Sequence, residues 1–190
     1  KNTRFDSLHI AMNVSSVQFE NLHYLSFVNK LMENAGVDNH LLEIELTERT
    51  VMNNADENIT RFNQIRANGF GLSVDDFGTG YSSLSYLKKF PLSVLKIDKT
   101  FVDGIPQEEE DISIATAILN LAHSLNMNVV AEGVETPEQL EYLRSLGCNF
   151  AQGYYISHPV SIEELEEWLS NNNSNFYQKN HADSLENNHA

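Results

Sequence analysis

"LLEIELTE", residues 41–48, alternates apolar and polar side chains: Leu42, Ile44 and Leu46 fall on one face, Glu43, Glu45 and Thr47 on the other. Side chains along a strand point to opposite sides in turn, so the stretch predicts a β-strand with carboxylates on one face. Five more short apolar runs read as strands: "LHIAMNVS" (8–15), "FGLSVDD" (70–76), "SVLKIDK" (93–99), "NVVAEGVE" (128–135) and "FAQGYYIS" (150–157). Most are followed by amphipathic stretches. Across 110–125, Ile114, Ile118, Leu121, Ala122 and Leu125 recur at helical spacing, and Asp111 with the preceding glutamates suits a helix N-terminus. Gly36, Gly69 and Gly147 stand where helices should end before the next strand. Strand then helix, in six units, predicts a parallel α/β fold.

Two architectures fit that pattern. An open doubly wound sheet suits the length, whereas a closed barrel of eight units runs to about 250 residues and these six take roughly 165. The polar residues decide between them. Asn13, Glu45, Asp75, Lys96, Glu132 and Gln152 each sit near the C-terminal end of a predicted strand. A doubly wound sheet would press such residues against helices on both faces, where unpaired polar groups are costly. In a barrel they meet around one cavity at the C-terminal mouth, where barrel active sites lie. The expected fold is therefore a TIM-like (β/α)8 barrel, with about six of its eight units in this chain. Carboxylates crowded in this way either keep their protons or hold a cation, and oxygen donors suit Mg²⁺ or Mn²⁺ better than zinc. Taken singly, each residue reads more simply as a cap, an ion pair or a surface charge; recurrence at the same end of six strands points to a site. Asp75 and Asp76 pose a difficulty, because strict alternation sends them to opposite faces. A strand ending at Asp75, followed by a turn through Phe77, Gly78 and Gly80, would swing Asp76 back over the mouth.

Composition narrows the partners. Twelve basic against 27 acidic side chains give a formal charge of -15 over 190 residues, so no nucleic acid polymer and no membrane surface is an expected partner. Cys148 is the lone cysteine and reads as a buried thiol. No stretch reads as a membrane span or a signal segment, and the expected location is cytoplasmic, alone or as part of a larger membrane-anchored protein. Residues 171–190 are Asn-rich with almost no apolar content and are expected to form a disordered tail. Phe62, Phe70 and Phe90 are expected in the core. The seven histidines follow no pattern and are assigned no role.

With these residues assembled, the chain resembles an EAL domain, the family of cyclic di-GMP phosphodiesterases. The matching stretches are "MNVS" (12–15), "ELTE" (45–48), "DDFGTGYSSLSYL" (75–87), "LKIDKTFV" (95–102), "AEGVET" (131–136) and "QGYYIS" (152–157), in family order. The resemblance implies a modified TIM-like barrel over residues 1–170 that lacks its first two strands, with the Glu-Ala-Leu signature itself expected upstream of Lys1. It implies hydrolysis of cyclic di-GMP to linear 5′-pGpG by a two-metal mechanism with Mg²⁺ or Mn²⁺. It also implies a homodimer, and leaves room for an upstream sensory or diguanylate cyclase (GGDEF) domain. By motif, Asn13, Glu45 and Asp75 would ligate one ion, and Asp75, Asp76 and Glu132 the other. Lys96, Asp98 and Glu132 would be catalytic: Lys96 contacts the water or phosphate, and Asp98 holds Lys96 or the water. Glu48 would brace the 76–84 loop, and Glu135 and Gln152 would support the site or substrate. Two other functions stay open: a catalytically inactive EAL module that binds cyclic di-GMP or a protein, and an enolase-like barrel with a lysine base.

Overall fold

Strands form within each of the six apolar runs: β1 (Ile10–Asn13), β2 (Leu42–Thr47), β3 (Gly71–Phe77), β4 (Val94–Ile97), β5 (Asn128–Ala131) and β6 (Phe150–Ala151). They are seen in a computed structural model that describes residues 8–80 and 83–171. Every neighbouring pair is parallel, and the order in the sheet is the order in the chain, β1 through β6. A doubly wound sheet reverses its strand order at a switch point; this one does not. It curls instead into a half-barrel. Ile10 and Phe150, on the two outer strands, are 64% and 58% exposed.

Between the strands lie α1 (Ser16–Glu20), α2 (Tyr24–Ala35), α3 (Glu48–Met52), α4 (Ala55–Ala67), α5 (Leu84–Leu87), α6 (Glu109–Ser124) and α7 (Pro137–Ser145). Local chemistry sets their ends. Gly36 closes α2 at φ 64°, a left-handed conformation that costs glycine least. Ser15 with Gln18, and Thr136 with Gln139, form capping boxes that open α1 and α7. The acidic first turn of α6, Glu109 to Asp111, meets the positive end of the helix as predicted.

The core joins both layers. Leu42, Ile44 and Leu46 of β2, Leu72 and Val74 of β3, Leu95 and Ile97 of β4, and Val129 and Ala131 of β5 are all buried. They form one cluster with Phe62 and Ile65 of α4, Ile118 and Leu119 of α6, and Leu143 of α7. Phe62 packs between Phe19 and Phe90, at ring-centroid separations of 5.5 and 5.1 Å. Cys148 differs from expectation, being only half-buried, with its thiol donating to Phe150 O at 3.2 Å.

The chain divides after Ile156 into two compact units. In the second, residues 162–171 are helical, and Ser161 and Glu164 cap one another, with Glu164 Oε2 2.8 Å from Ser161 N. The expected tail lies, apart from residue 171, outside the described residues. Among the described residues no helix is long and apolar enough to cross a membrane.

Candidate metal centre

Lys96 projects from β4 toward three carboxylates, Glu45 on β2, Asp75 on β3 and Glu132 just past β5. Its Nζ is 3.0 Å from Glu45 Oε1, 3.1 Å from Asp75 Oδ1 and 2.5 Å from Glu132 Oε1. Parallel registry places these donors together. Asp75 lies near the end of β3, and Glu132 directly follows β5, where its N–H donates to Ile97 O at 3.1 Å. The Lys96 side chain is only 4% exposed. Burial disfavours its charge, yet hydrogen bonds to Glu132 and Glu45 outweigh that penalty and lift its pKa above the ordinary lysine value.

Asp76 resolves the difficulty of alternation, though not by the expected route. β3 does not stop at Asp75 but continues to Phe77, and its register against β4 shifts between Val74 and Phe77. Asp76 sits in that irregularity with φ 54°, a left-handed conformation that aspartate tolerates better than most residues. Ligand oxygens from Asp75, Asp76 and Glu132 consequently lie within 4.8 Å of one another. Three hard oxygen donors at that separation fit a divalent cation.

The charge balance points the same way. Burial raises the pKa of Asp76, and the charges of Asp75 and Asp98 raise it further. Burial is also the main cause of the raised Glu132 pKa, which Lys96 opposes and Asp75 reinforces. One ammonium thus serves a group of carboxylates that it does not fully neutralise. A cation would complete the balance.

The other predicted residues take varied places. Asn13 ends β1 beside Glu45 in registry and is exposed. Glu48, buried at the start of α3, accepts from Gly78 N at 2.9 Å and Gly80 N at 3.3 Å through Oε2. Asp98 does not pair with Lys96: its Oδ1 accepts from Thr100 N at 2.9 Å and Thr100 Oγ1 at 2.5 Å. Although burial opposes it, that hydrogen bonding lowers the Asp98 pKa. Glu135 turns toward Lys99, with Oε1 2.7 Å from Nζ. Gln152 is exposed beyond the short β6, and its backbone N–H donates to Ala131 O at 2.8 Å. Thr100 and Lys99 were not singled out by sequence reasoning. "DKT" does carry a signal for Thr100, since Asp followed two residues later by a free N–H is common cap chemistry. Lys99 has a local partner in Asp103 at i, i+4, but nothing local marks its second partner, Glu135, 36 residues on.

Comparison with known proteins adds an independent line. The family model for the EAL domain matches residues 1–159. "Cyclic di-GMP phosphodiesterase NbdA" of Pseudomonas aeruginosa is 43% identical over 86% of this chain and 21% of its own length. "Bifunctional diguanylate cyclase/cyclic di-GMP phosphodiesterase MucR" of the same organism is 44% identical over 83% of this chain and 23% of its own length. The chain thus spans about a fifth of the length of these curated relatives. A solved complex of PaMucR phosphodiesterase with c-di-GMP superposes at TM-score 0.80, with 42% identity over 83% of this chain and 64% of that one. BlrP1 of Klebsiella pneumoniae, solved with cy-diGMP and either calcium or manganese, superposes at TM-score 0.72, with 30% and 29% identity. Those two matches cover 77% and 78% of this chain and 38% of each BlrP1 chain.

Proposed function

Because the chain belongs to the EAL domain family, we propose that it supplies the catalytic centre of a phosphodiesterase that hydrolyses cyclic di-GMP to linear 5′-pGpG. The observation that carries this reading is the meeting of Asp75, Asp76 and Glu132 oxygens within 4.8 Å, beside the buried ammonium of Lys96. Asp75, Asp76 and Glu132 would hold one Mg²⁺ or Mn²⁺, and Asn13, Glu45 and Asp75 the second. Bound there, divalent ions lower the pKa of a water and neutralise charge that grows on the phosphoryl oxygens.

The chain's own groups have distinct tasks. Glu132, 2.5 Å from Lys96 and beside Asp75 and Asp76, would hold an ion and orient the attacking water, whose proton passes to solvent. Water oxygen bonds to phosphorus as the P–O3′ bond breaks, and the departing 3′-oxygen takes up a proton from solvent. Lys96 turns its positive charge to the phosphate, while Asp98, fixed by Thr100, borders the site beside Asp76. Glu48 holds the 78–80 backbone in place. Glu135 and Gln152 belong to the outer support of the site. A homodimer, a cytoplasmic location and a neighbouring sensory or cyclase domain complete the proposal. Support for that last element comes from the bifunctional MucR relative.

The test is chromatographic detection of pGpG from cyclic di-GMP with Mn²⁺, on the protein that contains this chain. Turnover that disappears on chelation is expected. Cyclic di-GMP binding without any turnover would overturn the enzymatic reading in favour of a receptor.

A further inference from the structure

Lys99 leaves the end of β4 and reaches over the loop that follows β5. Its ammonium lies 2.7 Å from Glu135 Oε1 and 2.6 Å from Asp103 Oδ1. Its aliphatic stem covers Gly133, where an added Cβ would come within 2.7 Å of Lys99 Cβ. Gly133 has φ 69° and directly follows Glu132. The 132–135 loop is thus held at Gly133 by a hydrocarbon stem and at Glu135 by an ion pair. From the other side Val134 N donates to Gln152 O at 3.0 Å, and Glu132 N is tied to Ile97 O.

We propose that Lys99 is a positioning residue for Glu132. It acts as a strap that fixes the 132–135 backbone so that the Glu132 carboxylate stays against Lys96 and beside Asp75 and Asp76. The catalytic consequence rests on the function proposed above; the strap itself does not. A purely decorative surface ion pair is the simpler alternative, because the Lys99, Asp103 and Glu135 side chains are 45%, 52% and 47% exposed. Exposed pairs add little to global stability. Two features set this one apart: it spans two loops, and its stem occupies the space that a side chain at 133 would need. Its effect should therefore be local, visible in the loop and at Glu132 rather than in the unfolding temperature.

The experiment compares Lys99→Met, which keeps the stem and loses the charge, with Lys99→Arg, which keeps both. Amide hydrogen exchange over 131–136 in the metal-free chain reads the strap directly. Calorimetric Mn²⁺ titration and steady-state kinetics in the protein containing the chain read its consequence. In Lys99→Met we expect exchange over 132–135 to rise, and Mn²⁺ affinity and kcat each to fall about two- to five-fold. KM for cyclic di-GMP should stay put, and Lys99→Arg should restore most of the loss. Unchanged exchange in Lys99→Met overturns the strap. Raised exchange with unchanged Mn²⁺ affinity and kcat overturns the positioning of Glu132. If the unsubstituted chain binds no Mn²⁺, the metal reading fails, and exchange still decides the strap.

Discussion

Lys96 on β4 and Glu132, the residue that follows β5, face each other, Nζ to Oε1 at 2.5 Å, and Glu132 belongs at the same time to the carboxylate group formed with Asp75 and Asp76. One residue therefore links a buried cation to a predicted cation site. The ammonium balances part of the local negative charge and leaves the rest for a metal. An apolar residue in place of Lys96 would relieve nothing, because the carboxylates are fixed by their strands.

Lys96→Met should therefore be strongly destabilising. The substitution removes one partner from a buried charge group and strands Glu45, Asp75 and Glu132, at a cost of about 3–5 kcal/mol. Burial makes the loss large, as Lys96 and Glu45 side chains are only 4% and 6% exposed. The deficit should shrink as pH falls, because Glu132, whose pKa burial raises, then takes up a proton. Denaturant unfolding at neutral and mildly acidic pH measures both. Equal stability to the parent at neutral pH would mean that the group is not ionised as described.

Asp76→Asn and Asp76→Ala should separate backbone from ligand effects. Both lose the carboxylate, but only alanine is strained at φ 54°, by about 1–2 kcal/mol. The asparagine variant should unfold at or slightly above the parent temperature, since it removes repulsion from Asp75 and Asp98. Its Mn²⁺ affinity should nonetheless fall at least about tenfold, for want of one charged oxygen donor. Calorimetric titration gives the affinity and thermal unfolding the stability. An unchanged Mn²⁺ affinity would remove Asp76 from the ligand set.

The alternation in 41–48 made the fold readable, because buried Leu42, Ile44 and Leu46 stand against polar Glu43, Glu45 and Thr47 whatever the rest of the chain does. Strand-end polarity likewise marks Glu45, Asp75, Lys96 and Glu132, which the ion pairs of Lys96 bring to one place. The conformation of Asp76 was not readable. A bulge adds one residue to a strand without a mark in composition, so counting by two must fail beyond it. Nor was the choice of partner for Lys96, which depends on registry between strands rather than on its neighbour Asp98. The grip of Lys99 on Gly133 and Glu135 is a contact between loops, and such contacts leave no local period.

Glu48→Ala should loosen the loop after β3 with little effect on the fold. Gly78 and Gly80 are exposed, so water can replace the lost acceptor, and the cost should stay near 1 kcal/mol. Exchange of the Gly78 and Gly80 amides, now bonded to Glu48 Oε2, should accelerate clearly more than that of the β3 interior. Should these two amides exchange as in the parent, the loop is held by something other than Glu48.

Metal affinity should depend on pH with a definite sign. Asp76 and Glu132 both have raised pKa values, each chiefly through burial, so the metal-free fold keeps their protons to higher pH than the unfolded chain does. Between the ordinary carboxylate value and the raised one, the native state binds more protons than the unfolded state. Stability of the metal-free protein must then fall as pH rises through that window. A divalent ion needs both groups ionised, so its binding expels protons and weakens as pH drops through the same window. Mn²⁺ titrations in buffers of different ionisation enthalpy should show net proton release that declines toward neutral pH. Thermal unfolding should show the largest gain from Mn²⁺ at the higher pH, where the bare carboxylates repel most. Mn²⁺ affinity that is flat across the acidic range, with no proton release, would show that the ion binds elsewhere.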